Sequence, residues 1–256
     1  MRNRSIRLLQ ITDSHLYADD DGELGGVNTA RSLRAVLDAA QAEHWPPRAI
    51  LATGDLVQDH TRAGYERFHD ALAGFGFPVH CIPGNHDDPA LMRELLAMPP
   101  FTFCGVAGYG NWTIPLLNTW RENSAGGRLG ADELGRLDHL LSAHSGKHAL
   151  VCLHHHPMPM GSPWIDEVGL ADAADFLSVI DRHDNVRAVL WGHVHQASDR
   201  ERAGVRLMST PSTSAQFEPT SLEFSYDSAG PGWRWLELHA DGSIETRVGR
   251  LSDDAR

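Results

Sequence analysis

Seven positions in this sequence carry oxygen or imidazole donors in short, metal-like patterns. They are Asp13 and His15 in Asp-x-His, Asp55 after Gly54, Asn85 in Gly84-Asn85-His86-Asp87, one histidine of the run His154-His155-His156, and His193 and His195 in Gly192-His193-Val194-His195. Carboxylate and imidazole donors without a thiolate suit zinc, manganese, iron or cobalt rather than calcium or a structural cysteine-bound zinc. Seven donors are too many for one ion and suit two, with Asp55 as the bridge. Two ions roughly 3.5 to 4 Å apart clamp the attacking and leaving oxygens of an in-line phosphoryl displacement and ionise a water near neutral pH. The glycines before Asp55, Asn85 and His193 would let the chain turn sharply and let each donor approach.

The donors need elements to position them, and the sequence supplies these in alternation. Apolar runs rich in Ile, Val and Leu at 6–11, 48–53, 78–83, 148–153 and 186–191 predict strands buried on both faces, and each runs directly into one of the donor patterns. Between them, apolar residues at helical spacing predict helices over 29–43, 61–74, 131–143 and 171–182. Strands also fit 205–209, 233–239 and 243–250, the last two joined by the turn dipeptide Asp241-Gly242. The result is an α/β fold with mixed sheets. In such folds ligands sit beyond the carboxyl ends of strands, where donors distant in sequence converge. Residues 16–28, 98–113 and 156–170 carry the Gly and Pro punctuation of loops and are expected to wall the site.

Composition sets the bounds. The 256 residues, 41% hydrophobic, suit a single domain over 1–256. A net charge of −12 opposes nucleic-acid backbones and anionic membranes, and no apolar run reaches bilayer length. The N-terminus MRNRSIRLLQIT has no signal-peptide pattern, so a cytoplasmic location is expected. Cys81, Cys104 and Cys152 form no Cys-x-x-Cys pair and are read as reduced thiols. Asn28 and Thr29 fit either a helix cap or a substrate contact. The segment TPSTSAQF at 210–217 fits either a nucleotide pocket or a polar cover over a sheet end. Trp233 and Trp235 fit core positions, and His155 and His156 either orient ligands or face solvent.

Together, Asp-x-His, Gly-Asp, Gly-Asn-His-Asp, the histidine run and Gly-His-x-His, in this order, resemble the calcineurin-like metallophosphoesterase superfamily. The flanking text LLQITDSHL, GGVNT, LATGDLVQD, IPGNHDD, LHHHPMPMGSPWID, LWGHVHQ, TPSTSAQF and PGWRWLEL is similar to its bacterial class III 3′,5′-cyclic AMP phosphodiesterases over nearly the whole chain. The resemblance implies a four-layer α/β/β/α sandwich of two mixed β-sheets. It implies two divalent ions, of iron, manganese or zinc, one held by Asp13, His15 and His195 and the other by Asn85, His154 and His193, with Asp55 shared. It implies His86 as the catalytic histidine, protonating the leaving oxygen and not ligating metal, and substrate contacts from His15, Asp55, Asn85, His86 and His195. The activity implied is hydrolysis of cyclic AMP to 5′-AMP by a metal-bound hydroxide, with a cyclic nucleotide as the small-molecule partner. The alternative is a broader phosphodiesterase acting on glycerophosphodiesters or 2′,3′-cyclic nucleotides.

Overall fold

The computed structural model describes residues 5–252. Residues 1–4, on which part of the N-terminal leader reading falls, lie outside the described residues.

Two six-stranded mixed sheets lie face to face, with helices on the outer side of each. In the first sheet, Ile6–Ile11, Ala49–Ala52, Val79–Cys81 and Phe101–Phe103 run parallel, and the hairpin Gly232–Leu238/Ile244–Arg250 adds antiparallel to Ile6–Ile11. In the second sheet, Trp112–Leu116, His148–Cys152, Val186–Trp191 and Val205–Ser209 run parallel, flanked by the antiparallel edges Gly105–Tyr109 and Ser198–Arg202.

The period-2 geometry of strands explains why the central runs are apolar throughout. Along Ala49–Ala52, Ala49 and Leu51 face the layer between the sheets, whereas Ile50 and Ala52 face the helices. Along Val186–Trp191, Ala188 and Leu190 face the same central layer, and Val189 and Trp191 face the helices of the other side. Three apolar layers therefore separate four layers of structure. The outer layers are Thr29–His44, Arg62–Ala73 and Pro89–Leu95 on one side and Gly130–Ala143, Pro163–Asp166 and Ala173–Ile180 on the other. Asn28 caps the first helix by accepting from the Arg31 N–H, and Trp233 and Trp235 lie in the core, only 2% and 4% exposed.

One expectation is overturned. Residues 98–113 form no site-walling loop: they contain the strand Phe101–Phe103, the strand Gly105–Tyr109 and the start of Trp112–Leu116. Gly105–Tyr109 is an edge with two glycines and alternating exposure, so it lacks the apolar run that marks a central strand. The turn after it sits at the opposite end of the sheet from the donors, where Trp112 Nε1 donates to the His239 carbonyl.

Candidate metal centre

All the donors follow strands and meet at the carboxyl ends of both sheets. Asp13, His15, Asp55 and Asn85 come from the first sheet, and His154, His193 and His195 from the second. Asp13, His15 and His195 form one group whose ligand atoms lie within 4.8 Å of one another; Asp13, Asp55 and His154 form another. Asp55 also groups with His15 and His86.

The turns that deliver these residues are held in unusual backbone geometry. Asp13, His15, Asp55, His193 and His195 all have left-handed φ, between +46° and +66°. Such conformations cost energy in non-glycine residues and persist only where the surroundings enforce them. Ser212 and Ser214 both donate to the Asp13 carbonyl, at 2.7 and 3.0 Å, and the Asp13 N–H donates to the Gly54 carbonyl. The hydroxyls of residues 212 and 214 therefore clamp a turn and do not line a nucleotide pocket. Gly84 and Gly192 serve close approach: a Cβ on either would run into the carboxylate of Asp55 or Asp13. Gly54, at φ +98°, turns the chain under His154.

Asp87 completes the scaffold. It is 1% exposed and accepts from the N–H groups of Leu56, Val57 and Gly84 and from the Tyr65 hydroxyl, tying the Asp55 turn to the Asn85 turn. Burial, together with the Asp55 charge, pushes its carboxyl up to about 7. Sequence places Asp87 within its motif with nothing to mark a task for it, and carries no signal for the backbone acceptors Thr53 and Ala215.

The hydrogen-bond pattern shows what the cluster lacks. Thr53 O accepts from His154 Nδ1 at 2.7 Å and Ala215 O from His195 Nδ1 at 2.7 Å, so both hydrogens sit on Nδ1. His15 Nδ1 likewise meets Gln58 Oε1 at 2.6 Å. The Nε2 atoms then point inward, with a lone pair on His15 and His195 and, in the metal-free chain, a proton on His154, which the Asp55 and Asp13 carboxylates face. Those of His15 and His195 face each other at 3.1 Å, and that of His154 faces Asp55 Oδ2 and Asn85 Oδ1, both at 3.3 Å. His193 Nε2 is buried without a hydrogen-bond partner. Acceptors facing acceptors in a buried site call for a cation, and nitrogen with oxygen and no sulfur fits a borderline divalent ion. These residues therefore fit a metal centre.

The charges agree. Burial drives His15 down to about 4, and burial with the neighbouring imidazoles of His155, His154 and His156 holds His193 well below 6.5, the neutral form that ligates metal. Burial also opposes charge on His154, but Asp55 and then Asp13 beside it raise it to about 9. In the metal-free chain this imidazole supplies the positive charge that the carboxylates need, and Asp55 is correspondingly held well below its usual range despite its burial.

The histidine run is resolved by its partners. His155 is saturated, with Nδ1 at 2.7 Å from the Thr119 hydroxyl and Nε2 at 3.1 Å from the Ala125 carbonyl, although one of its nitrogens lies near His154 and His193. His156 faces Asp166 at 3.6 Å and stacks on His193. Neither is solvated. His86 is half-buried at the mouth, edge-on to His15 with ring centroids 5.1 Å apart, while its backbone N–H donates to Asp55 Oδ1.

Residues 6–197 match the model of the family described as calcineurin-like phosphoesterase. The chain belongs to that family. Among its relatives, a protein of Vibrio vulnificus named 3′,5′-cyclic adenosine monophosphate phosphodiesterase CpdA is 42% identical over 98% of this chain and 92% of its own. The protein of the same name from Escherichia coli K12 is 40% identical over 97% and 90%. Among solved structures, a dimetal phosphatase from Danio rerio superposes with a TM-score of 0.66 at 16% identity, covering 96% of this chain and 99% of the other, which shows the shared fold. The calcineurin-like phosphoesterase sandwich expected from the motifs is the observed one. Among the described residues no helix is long and apolar enough to cross a membrane.

Proposed function

We propose that the protein is a dinuclear metallohydrolase that converts 3′,5′-cyclic AMP to 5′-AMP in the cytoplasm, lowering that second messenger, with 1–256 acting as one domain. The observation that carries the metal chemistry is the position of Asp55, whose carboxylate belongs both to the group with Asp13 and His154 and to the group with His15. The substrate rests on the names of relatives that align over nearly the whole chain.

In this reading Asp13, His15 and His195 hold one ion, Asn85, His154 and His193 the other, and Asp55 both. The oxygen and nitrogen donor set suits iron, manganese and zinc alike, and iron(II) or manganese are the ions proposed here. Bound there, two divalent ions would activate water near neutral pH and neutralise the phosphodiester charge. The chain's own contribution is orientation. The carbonyls of Thr53 and Ala215 fix the tautomers of His154 and His195, and the His86 N–H fixes Asp55. His86, at the mouth, gives a proton to the departing 3′ oxygen. A positive site inside a protein of net charge −12 draws a small anion locally while the surface repels polyanions and anionic membranes.

The test is turnover of the purified protein, stripped and reloaded with manganese or iron(II), on cyclic AMP beside cyclic GMP, 2′,3′-cyclic AMP and glycerophosphoethanolamine. We expect 5′-AMP as product and the highest kcat/KM on cyclic AMP. Faster turnover of glycerophosphoethanolamine or 2′,3′-cyclic AMP would replace the substrate assignment and leave the metal centre in place.

A further inference from the structure

One flank of the donor cluster is built of aromatic rings that the metal chemistry does not use. Phe217 lies flat on His195, with ring centroids 3.9 Å apart and planes within 8°. From Phe217 the rings continue outward to Trp164 at 5.2 Å, Phe224 at 5.4 Å and Tyr226 at 6.0 Å, and Phe224 touches both Trp164 and Tyr226. The outer rings face water: Phe224 is 52% and Tyr226 39% exposed. Three separate segments converge to build this flank. They are the turn Pro163–Asp166, the strand pair Gln216–Phe217/Tyr226–Asp227 and the hairpin Glu23–Asn28. The hairpin is shaped for it, because Gly25, at φ +56°, would drive a Cβ to 2.7 Å from the Tyr226 ring.

A small apolar core would turn these faces inward. Aromatic faces left open and connected, ring to ring, with a candidate metal donor mark a surface for a flat ligand. The charges choose the ligand. The segment that carries the rings also carries Glu218, Glu223 and Asp227 and no Lys or Arg between 217 and 227, which disfavours an anionic group or an anionic lipid surface there. A neutral, planar heterocycle fits, since every base has a π-face that stacks on aromatic side chains.

Resting on the cyclic-nucleotide reading above, we infer that Phe224 and Tyr226 form the subsite for the base of the substrate, while its phosphate occupies the donor cluster. Phe217 links the two, packing against His195 on one side and against the base platform on the other.

The test compares two diesters that differ only in the base: cyclic AMP and the 3′,5′-cyclic phosphate of methyl riboside. In the metal-loaded wild type, kcat/KM should favour cyclic AMP by about tenfold or more, the scale of one base stacking on an aromatic ring. Phe224→Ala should bring that ratio toward one, through KM rather than kcat, and Phe224→Trp should restore it. Tyr226→Leu gives an independent second reading in the same direction. A wild-type ratio near one, or a Phe224→Ala loss equal on both diesters, overturns the subsite while leaving the phosphodiesterase reading intact. Failure to hydrolyse either diester removes both.

Discussion

Two polar regions of this protein are alike in burial and differ in kind. Near the sheet edge, Arg234 is 3% exposed and has no carboxylate ion-pair partner among the described residues, yet its guanidinium donates to Thr210 and Thr246 hydroxyls and to the Ser198 and Ser209 carbonyls at 2.7 to 3.1 Å. Burial lowers it to about 10, and it still carries its charge at neutral pH. At the donor cluster the balance is reversed, with carboxylates and bare imidazole nitrogens pointing at one another and His193 Nε2 left unpaired. One region contains its own cation, fully paired. The other is arranged around positive charge, of which the chain itself supplies only the His154 imidazolium. The arrangement of hydrogen-bonding partners, rather than burial or polarity, separates these two regions.

That contrast can be broken at several points. Asp55→Ala removes the shared carboxylate and should abolish turnover and dinuclear loading, read by elemental analysis beside product formation; a variant that keeps both ions would refute the bridging role. His86→Ala should retain metal, because the Asp55 contact comes from the backbone N–H, and lose roughly a hundredfold or more in kcat, the scale of a missing general acid. Loss of metal from this variant would make His86 a ligand.

A third buried group, His80, sharpens the comparison through pH. It is 7% exposed, lies 2.6 Å from both the Thr102 and Tyr109 hydroxyls, and burial lowers it from 6.5 to about 4. The unfolded chain therefore binds a proton between pH 6.5 and 4 that the folded chain refuses. Stability is full above 6.5 and falls with pH to about 4, by up to about 3 kcal/mol. Denaturant titrations of the metal-free protein should show this slope reduced in His80→Phe, and an unchanged slope would place the protonation elsewhere. The smallest effect expected is that of Arg234→Met, which strands buried acceptors and should cost about 1–3 kcal/mol. Its metal stoichiometry should match the wild type, and a drop would mean that the Thr210, Gln10 and Thr53 chain behind His154 depends on this cation.

The central strands and the convergence of the candidate donors were legible for one physical reason. A strand buried on both faces is an uninterrupted apolar run, and the first polar residues after it stand at the rim where ligands gather. Ser198–Arg202, with sequence SDRER, is the opposite case: an exposed edge strand with no apolar signature, defined only by pairing with Val205–Ser209. The same limit hid Gly105–Tyr109. Within the site, residue types announced the donors, but the direction of a hydroxyl or a carbonyl leaves no trace in sequence. Hence residues 210–217 read equally as a pocket wall or a cover, and the fold divides them: the Ser212 and Ser214 hydroxyls are spent on the Asp13 carbonyl, whereas Phe217 stacks on His195 beside the cluster. His155 was ambiguous for a related reason, since Thr119 and Ala125, which occupy its nitrogens, lie about thirty residues away.

The division of the donors between the two sheets has a mechanical side. Each sheet has its own helices and its own outer apolar layer, and the interior layer that joins the sheets is mostly apolar and non-directional, with a few hydrogen bonds across it, such as Gln10 to the Trp191 carbonyl, Arg234 to the Ser209 carbonyl and His80 to the Tyr109 hydroxyl. Ions gripped by Asp13, His15, Asp55 and Asn85 from one sheet and His154, His193 and His195 from the other would act as a rivet through the open end of the sandwich. Sliding of one sheet over the other would then have to break coordination bonds as well as these hydrogen bonds, so the metal centre would help to set the register in which the halves are locked.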